Sequence, residues 1–204
     1  MNEEQEIIQK YFLPIADNPE SLQLSNDAAF INKQENMVIS SDMMIEDVHF
    51  DKLDDPFCLA QKLLRVNLSD IAAMGAQPYG YILNLSIPKL NHELWLKRFC
   101  KGLAKDSEKF NLKLFGGDLG SSKNIFMSVT ILGLVSKKFH KNMIANEGSE
   151  IFVSDTLGDA GIGLQIKKGK FSKLKKSEKF FFLSKFNTPL PQIKLGKSLV
   201  GIAD

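Results

Sequence analysis

Four aspartates, Asp27, Asp42, Asp70 and Asp118, each stand at the end of an expected element or on a polar break in a helix stripe. From such positions carboxylates far apart in the chain can converge. Converging carboxylates bind hard cations, and Mg²⁺ takes about six oxygen ligands near 2.1 Å, usually a few carboxylates plus substrate phosphates. That points to nucleotide chemistry, because a triphosphate carries roughly four negative charges and carboxylates approach it only when divalent ions bridge the two. Any one of these aspartates is equally well an ordinary strand-end or helix-end residue; the argument lies in the set. His49 follows Asp42 closely enough to face the same cleft, whereas His92 reads as a surface residue at a helix start and His140 has no chemical neighbour in sequence.

The rest of the chemistry is narrowed by what is missing. There is no GxxxxGK[ST], Gly161-Ile162-Gly163 lacks the third glycine of a dinucleotide fingerprint, and no GxSxG occurs, so neither a P-loop, a Rossmann site nor a serine triad is supported. Arginine is confined to Arg65 and Arg98, which makes bidentate guanidinium clamps on phosphate scarce and leaves that work to metal ions. With 204 residues, 44% hydrophobic, 25% charged and a net charge of +2, the chain is an ordinary folded protein whose surface as a whole is not a nucleic-acid or membrane glue. Seven lysines between Lys167 and Lys179 read as a solvated helix or loop rather than a nucleic-acid site, having no arginine and little aromatic interleaving. Cys58 and Cys100 show no CxxC or Cys/His spacing and suggest reduced thiols. The acidic start Met1-Asn2-Glu3-Glu4 is no signal peptide, and no apolar run approaches about 18 residues. The expectation is a cytoplasmic protein with no membrane and no nucleic-acid partner.

Several elements must position these residues. Ile7, Ile8, Tyr11 and Phe12 give a short amphipathic helix that Pro14 closes. Residues 28–31 and 37–41 read as a hairpin whose second strand runs into Asp42. Asp55-Pro56 supplies an N-cap and N1 pair for a long helix that Gly75 ends. Its stripe reads Ala60, Leu63, Asn67, Asp70 and Met74, so an amide and a carboxylate stand in line with residues that should be buried. A buried carboxylate must be paired, hydrogen-bonded or metal-bound; a capped or solvated Asp70 on a slightly rotated helix is the alternative. The spacing further predicts a strand over 80–87 with Tyr81, Leu83, Leu85 and Ile87 inward, a helix over 91–110, a strand over 112–115 stopping at Gly116-Gly117-Asp118, and a strand over 125–135. Residues 139–150 read as a domain seam. Beyond them come a strand over 151–154, a helix from about 160, and a strand over 198–203 that delivers Asp204, with the whole chain reading as the front part of a longer design.

The strings Ser40-Ser41-Asp42, Val48-His49-Phe50, Asn67-Leu68-Ser69-Asp70-Ile71-Ala72-Ala73-Met74-Gly75-Ala76, Gly116-Gly117-Asp118 and Thr156-Leu157-Gly158-Asp159 resemble, in order and spacing, the thiamine-monophosphate kinases of the aminoimidazole ribonucleotide synthetase-like superfamily. The resemblance implies an α/β (α+β) fold: a mixed sheet with flanking helices over residues 1–138, pairing with a second subunit into a dimeric barrel, and an incomplete C-terminal α+β domain over 139–204. It implies Mg²⁺-dependent transfer of the ATP γ-phosphoryl to thiamine phosphate by a homodimer. By the same resemblance Asp27, Asp42, Asp70, Asp118 and Asp204 are metal ligands, Ser40 and Ser41 add oxygen ligands, His49 contacts thiamine phosphate, and Gly117, Asp118 and Asn142 meet the nucleotide. Alternatives within the same resemblance are another ATP-using enzyme of the superfamily and a truncated, inactive dimerisation module. The chain departs from the family at Ser25-Asn26-Asp27, where Gly-Asp-Asp is usual, at Leu119-Gly120-Ser121, where Thr-Thr-Arg is usual, and at Asn142 and the segment near Pro189 and Pro191, where arginines are usual. Each missing charge-assisted contact is worth about 1.5 to 3 kcal/mol, with Lys123 and Lys141 as the lysines placed to compensate.

Overall fold

The computed structural model describes residues 3–88, 93–136, 138–140 and 147–203. A four-stranded mixed sheet, β1 (Asn36–Ile45), β2 (Gln77–Ile87), β3 (Lys113–Ser121) and β4 (Phe126–Val135), runs in the order β1-β4-β2-β3. β4 is antiparallel to both neighbours and β2 is parallel to β3. A parallel pair needs a crossover, and α3 (Glu93–Phe110) provides it.

Period-two alternation decides which strand face is buried. Tyr81, Leu83, Leu85 and Ile87 of β2 and Met127, Val129 and Ile131 of β4 are all below 5% exposed. They pack beneath α2 (Pro56–Ala73) and α3, whose Leu63, Leu64, Leu68, Leu96, Phe99 and Leu103 are fully buried. At about 1.5 to 3 kcal/mol for each large side chain fully buried, this seam dominates the folding energy. The Asp55 side chain accepts the Phe57 N–H at 3.1 Å as the N-cap of α2, with Pro56 at N1, and Gly75 follows the helix at φ +66°, as the sequence predicts. Arg98 holds the same cap with hydrogen bonds of 2.9 and 2.7 Å, and this, with the Phe57 N–H, keeps the Asp55 carboxyl below its usual range.

The expected hairpin is not formed. Residues 28–31 carry no strand; Ala29 and Ile31 pack instead on Tyr79, Phe115 and Leu132, on the sheet face away from the helices. The partner of β1 is β4, in an unbroken register from Asn36↔Val135 to Ile45↔Phe126, which matches more alternating residues than the short segment offers. The N-terminal chain runs along β3, where Asn18 Nδ2 donates to the Leu114 carbonyl at 2.9 Å, so this edge is covered while the β1 edge stays open. Ile39 and Met43 on β1 are 66% and 53% exposed.

The first helix is α1 (Glu3–Ile7), continued by a π-type turn over Ile8–Phe12. After residue 147 the chain forms α4 (Asp159–Lys167), α5 (Lys176–Asn187) and α6 (Ile193–Ser198). The strands expected over 151–154 and 198–203 are absent: Ile151 and Phe152 are almost fully exposed without a partner strand, and after α6 a turn through Gly201 leaves only an isolated Val200–Ala203 bridge. A strand needs a neighbour to pair with, and none is present among the described residues there. The basic stretch spans the last residue of α4, the loop after it and the first turn of α5. None of the described helices is long and apolar enough to cross a membrane.

Arg65 on α2 joins these parts. It is bidentate on Asp106 of α3, at 2.5 and 2.9 Å, and donates to the Thr188 carbonyl at 3.0 Å, while Gln61 supplies Asp106 with a further bond of 2.7 Å. Asp106 is fully buried. Asp106→Ala should therefore lose about 3 to 5 kcal/mol in urea unfolding, because it strands a buried guanidinium; a loss below about 1 kcal/mol would show that Arg65 finds another acceptor. The Asp55 carboxyl, lowered in the folded state, lends stability that is complete above the ordinary aspartate value near 3.8 and lost as pH falls through the folded value. Arg98→Ala should accordingly shift the acid-unfolding midpoint upward, read by circular dichroism.

Candidate functional site

β1 and α2 build one cluster of polar groups. Val129 of β4 is opposite Asp42 and faces α2, so Asp42 and, two residues earlier, Ser40 point to the helix side of the sheet. Asn67 and Asp70, one turn apart on α2, meet them. The buried Asn67 Oδ1 accepts the Asp42 N–H at 3.0 Å and its Nδ2 donates to the Leu63 carbonyl at 2.9 Å. Ser40 Oγ donates to Asp70 Oδ2 at 2.5 Å. Asp70 itself is exposed while its neighbours Ile71 and Ala72 are buried; the stripe buries Asn67 and leaves the carboxylate in solvent, so the solvated alternative describes it better than the buried one. Ser41 points to the opposite face, where its Oγ donates to the Val129 carbonyl at 3.1 Å.

His49 follows in the loop after β1 and is exposed. Its Nδ1 accepts the Ile45 N–H at 3.1 Å, which selects the tautomer carrying its proton on Nε2 and leaves that N–H free to donate outward.

Asp27 and Asp118 belong to a second place. Both line a cavity of about 490 Å³ between the N-terminal segment and the outer face of β2 and β3, together with Asn84 and apolar groups such as Phe12, Ile82 and Phe115. Asp118 is opposite Asn84, and Asn84 opposite Ser128, which puts Asp118 on the face away from the helices. Three strand spacings separate β3 from β1, about 14 Å. In a single copy the four aspartates thus form two stations, on opposite faces and opposite edges of one sheet, rather than one crevice. Among the described residues no three His, Cys, Asp or Glu side chains stand together as a metal cluster.

Gly117 has a structural reason of its own. A Cβ there would lie 1.7 Å from the Leu83 carbonyl oxygen, so β2 and β3 close up only on a glycine. Just before it, the β2–β3 register slips by one residue at Phe115, a bulge that re-aims the Gly116-Gly117-Asp118 segment. The approach to Asp27 is strained: Leu22, Gln23 and Leu24 run at φ +50°, +57° and +53°, a left-handed stretch costing roughly 1 to 2 kcal/mol per residue.

Both arginines are committed to Asp106 and Asp55, which leaves phosphate charge to lysines; Lys123 is exposed on the β3–β4 turn. Cys58 and Cys100 are free thiols, and burial pushes Cys100 up to about 12, so neither is a nucleophile by position. Asn142, Lys141, His92 and Asp204 lie outside the described residues. Sequence reasoning missed Asn84, whose signal is a polar residue beside inward-facing leucines, and Glu46, a buried carboxylate that accepts the Ile125 N–H at 2.7 Å and ties the His49 loop to β4.

The family model described as AIR synthase related protein, N-terminal domain, matches residues 25–135, which hold both stations. The chain belongs to this family. Curated relatives agree over nearly all of it: it is 36% identical to a thiamine-monophosphate kinase from Haemophilus influenzae, across 97% of this chain and 61% of the relative, and 34% identical to one from Buchnera aphidicola, across 98% and 62%. The chain therefore spans about three fifths of the length of these relatives. Among solved structures, thiamine-monophosphate kinase from Stenotrophomonas maltophilia superposes with a TM-score of 0.80 at 29% identity, over 96% of this chain and 62% of that one. A structure described as AaThiL complexed with AMPPCP and TMP gives 0.75 at 25% identity, over 85% and 56%. Hydrogenase maturation protein HypE in complex with ATP, at 18% identity and a TM-score of 0.75, shares the fold.

Asn67→Leu should expose the role of the amide: with the Asp42 N–H stranded beside an apolar residue, stability should fall by about 1 to 3 kcal/mol in urea unfolding. An unchanged midpoint would mean that the β1–α2 seam does not need it.

Proposed function

We propose that this chain carries the N-terminal half of a thiamine-monophosphate kinase, transferring the γ-phosphoryl of ATP to thiamine phosphate with Mg²⁺. What supports this most is the pairing of a Ser40–Asp70–Asp42 oxygen cluster with a downstream His49 on a chain matched over nearly its whole length by relatives of that name. A relative's structure with AMPPCP and TMP fits the same reading.

The donor set suits the metal. Asp42, Asp70, Ser40, Asp27 and Asp118 offer only oxygen, the preference of a hard cation, and Mg²⁺ is commonly held by one or two carboxylates with phosphate and water completing the shell, so two carboxylates per station suffice. Bound there, Mg²⁺ would supply neutralisation of the phosphate charge. The chain's own part is orientation. Asn67 and Ser40 fix the Asp42 backbone and the Asp70 carboxylate, and the His49 Nε2–H donates to the acceptor phosphate. Lys123 adds positive charge in place of the missing arginines. The acceptor is itself a phosphate oxygen, so no protein nucleophile or strong base is required, and catalysis reduces to in-line positioning and charge compensation.

We infer further that two copies act together. The outer face beside β1 exposes Ile39 and Met43, and closing a second copy over it would let the Asp118 station of one chain approach the Asp42 station of the other. In that arrangement the region 1–138 is the nucleotide and dimerisation domain and 139–204 the opening of a second domain.

ADP release should require both Mg²⁺ and thiamine phosphate; release indifferent to thiamine phosphate would count against the assignment. Calorimetry should find Mg²⁺-ATP binding weakened about tenfold or more by Asp70→Asn and by Asp118→Asn, the scale of one lost charge-assisted contact. Equal binding by wild type and Asp70→Asn would remove Asp70 from the site. Ile39→Lys should convert the dimer to monomer in sedimentation.

A further inference from the structure

The loop that presents His49 is held from both ends. Its front is tied to the start of β4, where Glu46 accepts the Ile125 N–H at 2.7 Å and Asn124 Nδ2 donates to Asp47 Oδ2 at 3.2 Å. Its back is tied to a helix more than a hundred residues later: Lys167, the last residue of α4, donates to Asp54 Oδ2 and lies 3.0 Å from Asp51 Oδ2. Asp54 Oδ2 also accepts the Asp51 N–H at 2.9 Å, so one carboxylate oxygen serves both the ammonium and the loop backbone. Between the two anchors Phe50 is the one side chain packed into the core, at 4% exposed, and its carbonyl accepts the Asp47 N–H at 2.9 Å. Val48 and Leu53 are 71% and 96% exposed, so the loop beyond Phe50 depends on the second anchor.

The lysine is not a free surface charge. Its side chain is only 18% exposed, and its ammonium lies 5.8 Å from the Phe186 ring of α5, a ring that Lys62 of α2 approaches to 3.5 Å from its own helix. Burial works against the charge of Lys167, but its hydrogen bonds to Asp54 and Asp51 outweigh that and raise it above the usual lysine value. Lys62 has no such pair and is pushed down to about 8, first by burial and then by the charge of Lys167. Of the two neighbouring lysines, Lys167 is the one whose ammonium meets the acids. The pair with Asp54, itself 22% exposed, is screened less than an exposed one, whereas Asp51 is 68% exposed.

We propose that Lys167 is a positioning residue for the phosphorylated acceptor: by clamping Asp51 and Asp54 it keeps His49 folded back on the end of β1, with Nε2–H presented outward. This rests on the reading of His49 given under the proposed function. It also gives the segment after residue 147 a task in the N-terminal site, acting through the loop rather than by touching substrate.

The test compares wild type, Lys167→Met, Lys167→Arg and Asp54→Asn. Thiamine phosphate and Mg²⁺-ATP affinities are measured separately by calorimetry, and amide hydrogen exchange is followed over residues 46–55. Lys167→Met and Asp54→Asn should each weaken thiamine phosphate binding about tenfold, as expected of a misplaced positioning loop, leave Mg²⁺-ATP binding within about twofold, and speed exchange in the loop while β1 and β4 stay protected. Lys167→Arg should restore both readouts, because a guanidinium spans two carboxylates. Unchanged thiamine phosphate affinity in Lys167→Met overturns the proposal even if the loop exchanges faster. Parallel loss of both ligands also overturns it, since that marks general destabilisation. Wild-type protein that binds Mg²⁺-ATP yet ignores thiamine phosphate removes the acceptor reading itself, a failure visible before any substitution is made.

Discussion

A buried amide governs the geometry of this protein. Asn67 has no exposed surface, and it takes the backbone N–H of Asp42 on one side while returning a bond to its own helix on the other. An edge strand has unpaired backbone groups, and a helix packed over it normally offers only apolar side chains. Placing one amide in the stripe of α2 fixes the sliding register of helix against strand, since moving either by a residue would strand polar groups in the core. Ser40 then meets Asp70, and Asp42 is held at a defined height on the sheet. The oxygen cluster follows from the same contact that builds the core.

Charge is distributed with equal economy. The two guanidiniums serve the frame, one buried between α2 and α3 and one on the helix cap, and the carboxylates they meet are unavailable for metal. Asp42, Asp70, Asp27 and Asp118 are left without a guanidinium partner among the described residues.

The sequence was most legible where pattern and position coincide. Alternation around Tyr81 to Ile87 and Met127 to Ile131 named the buried face correctly, and Asp55-Pro56 and Gly75 marked the ends of α2. It misled where a short apolar segment had two outlets: residues 28–31 have strand composition, but Ile31 gains more by covering Tyr79 and Phe115, and β4 is a longer match for β1. The segments at 151–154 and 198–203 have strand character without partners, a property that only the tertiary context discloses. For the site, residue types and spacing placed Asp42 and Asp70 together, and the structure joins them through Ser40 and Asn67, with His49 in the loop after the same strand. Types and spacing gave no hint that Asp27 and Asp118 lie across the sheet, because strand order is set by long-range pairing and leaves no local trace. Asp70 illustrates the finer point: helical period placed it on the inward stripe, yet it is Ile71 beside it that faces the sheet, a small rotation that leaves the carboxylate in solvent.

The contact of Gly117 with the Leu83 carbonyl has a bearing on how such a cavity can diversify. At that one point the wall is main chain against main chain and admits no side chain, while Ile82, Asn84, Phe115 and Asp118 line it on either side. What the hollow accommodates is therefore set by the side chains around that point, Ile82, Asn84 and Asp118 on the sheet and Leu24, Asn26 and Asp27 on the facing segment. A fixed seam of backbone thus sits in the middle of a lining whose shape and polarity its neighbours decide.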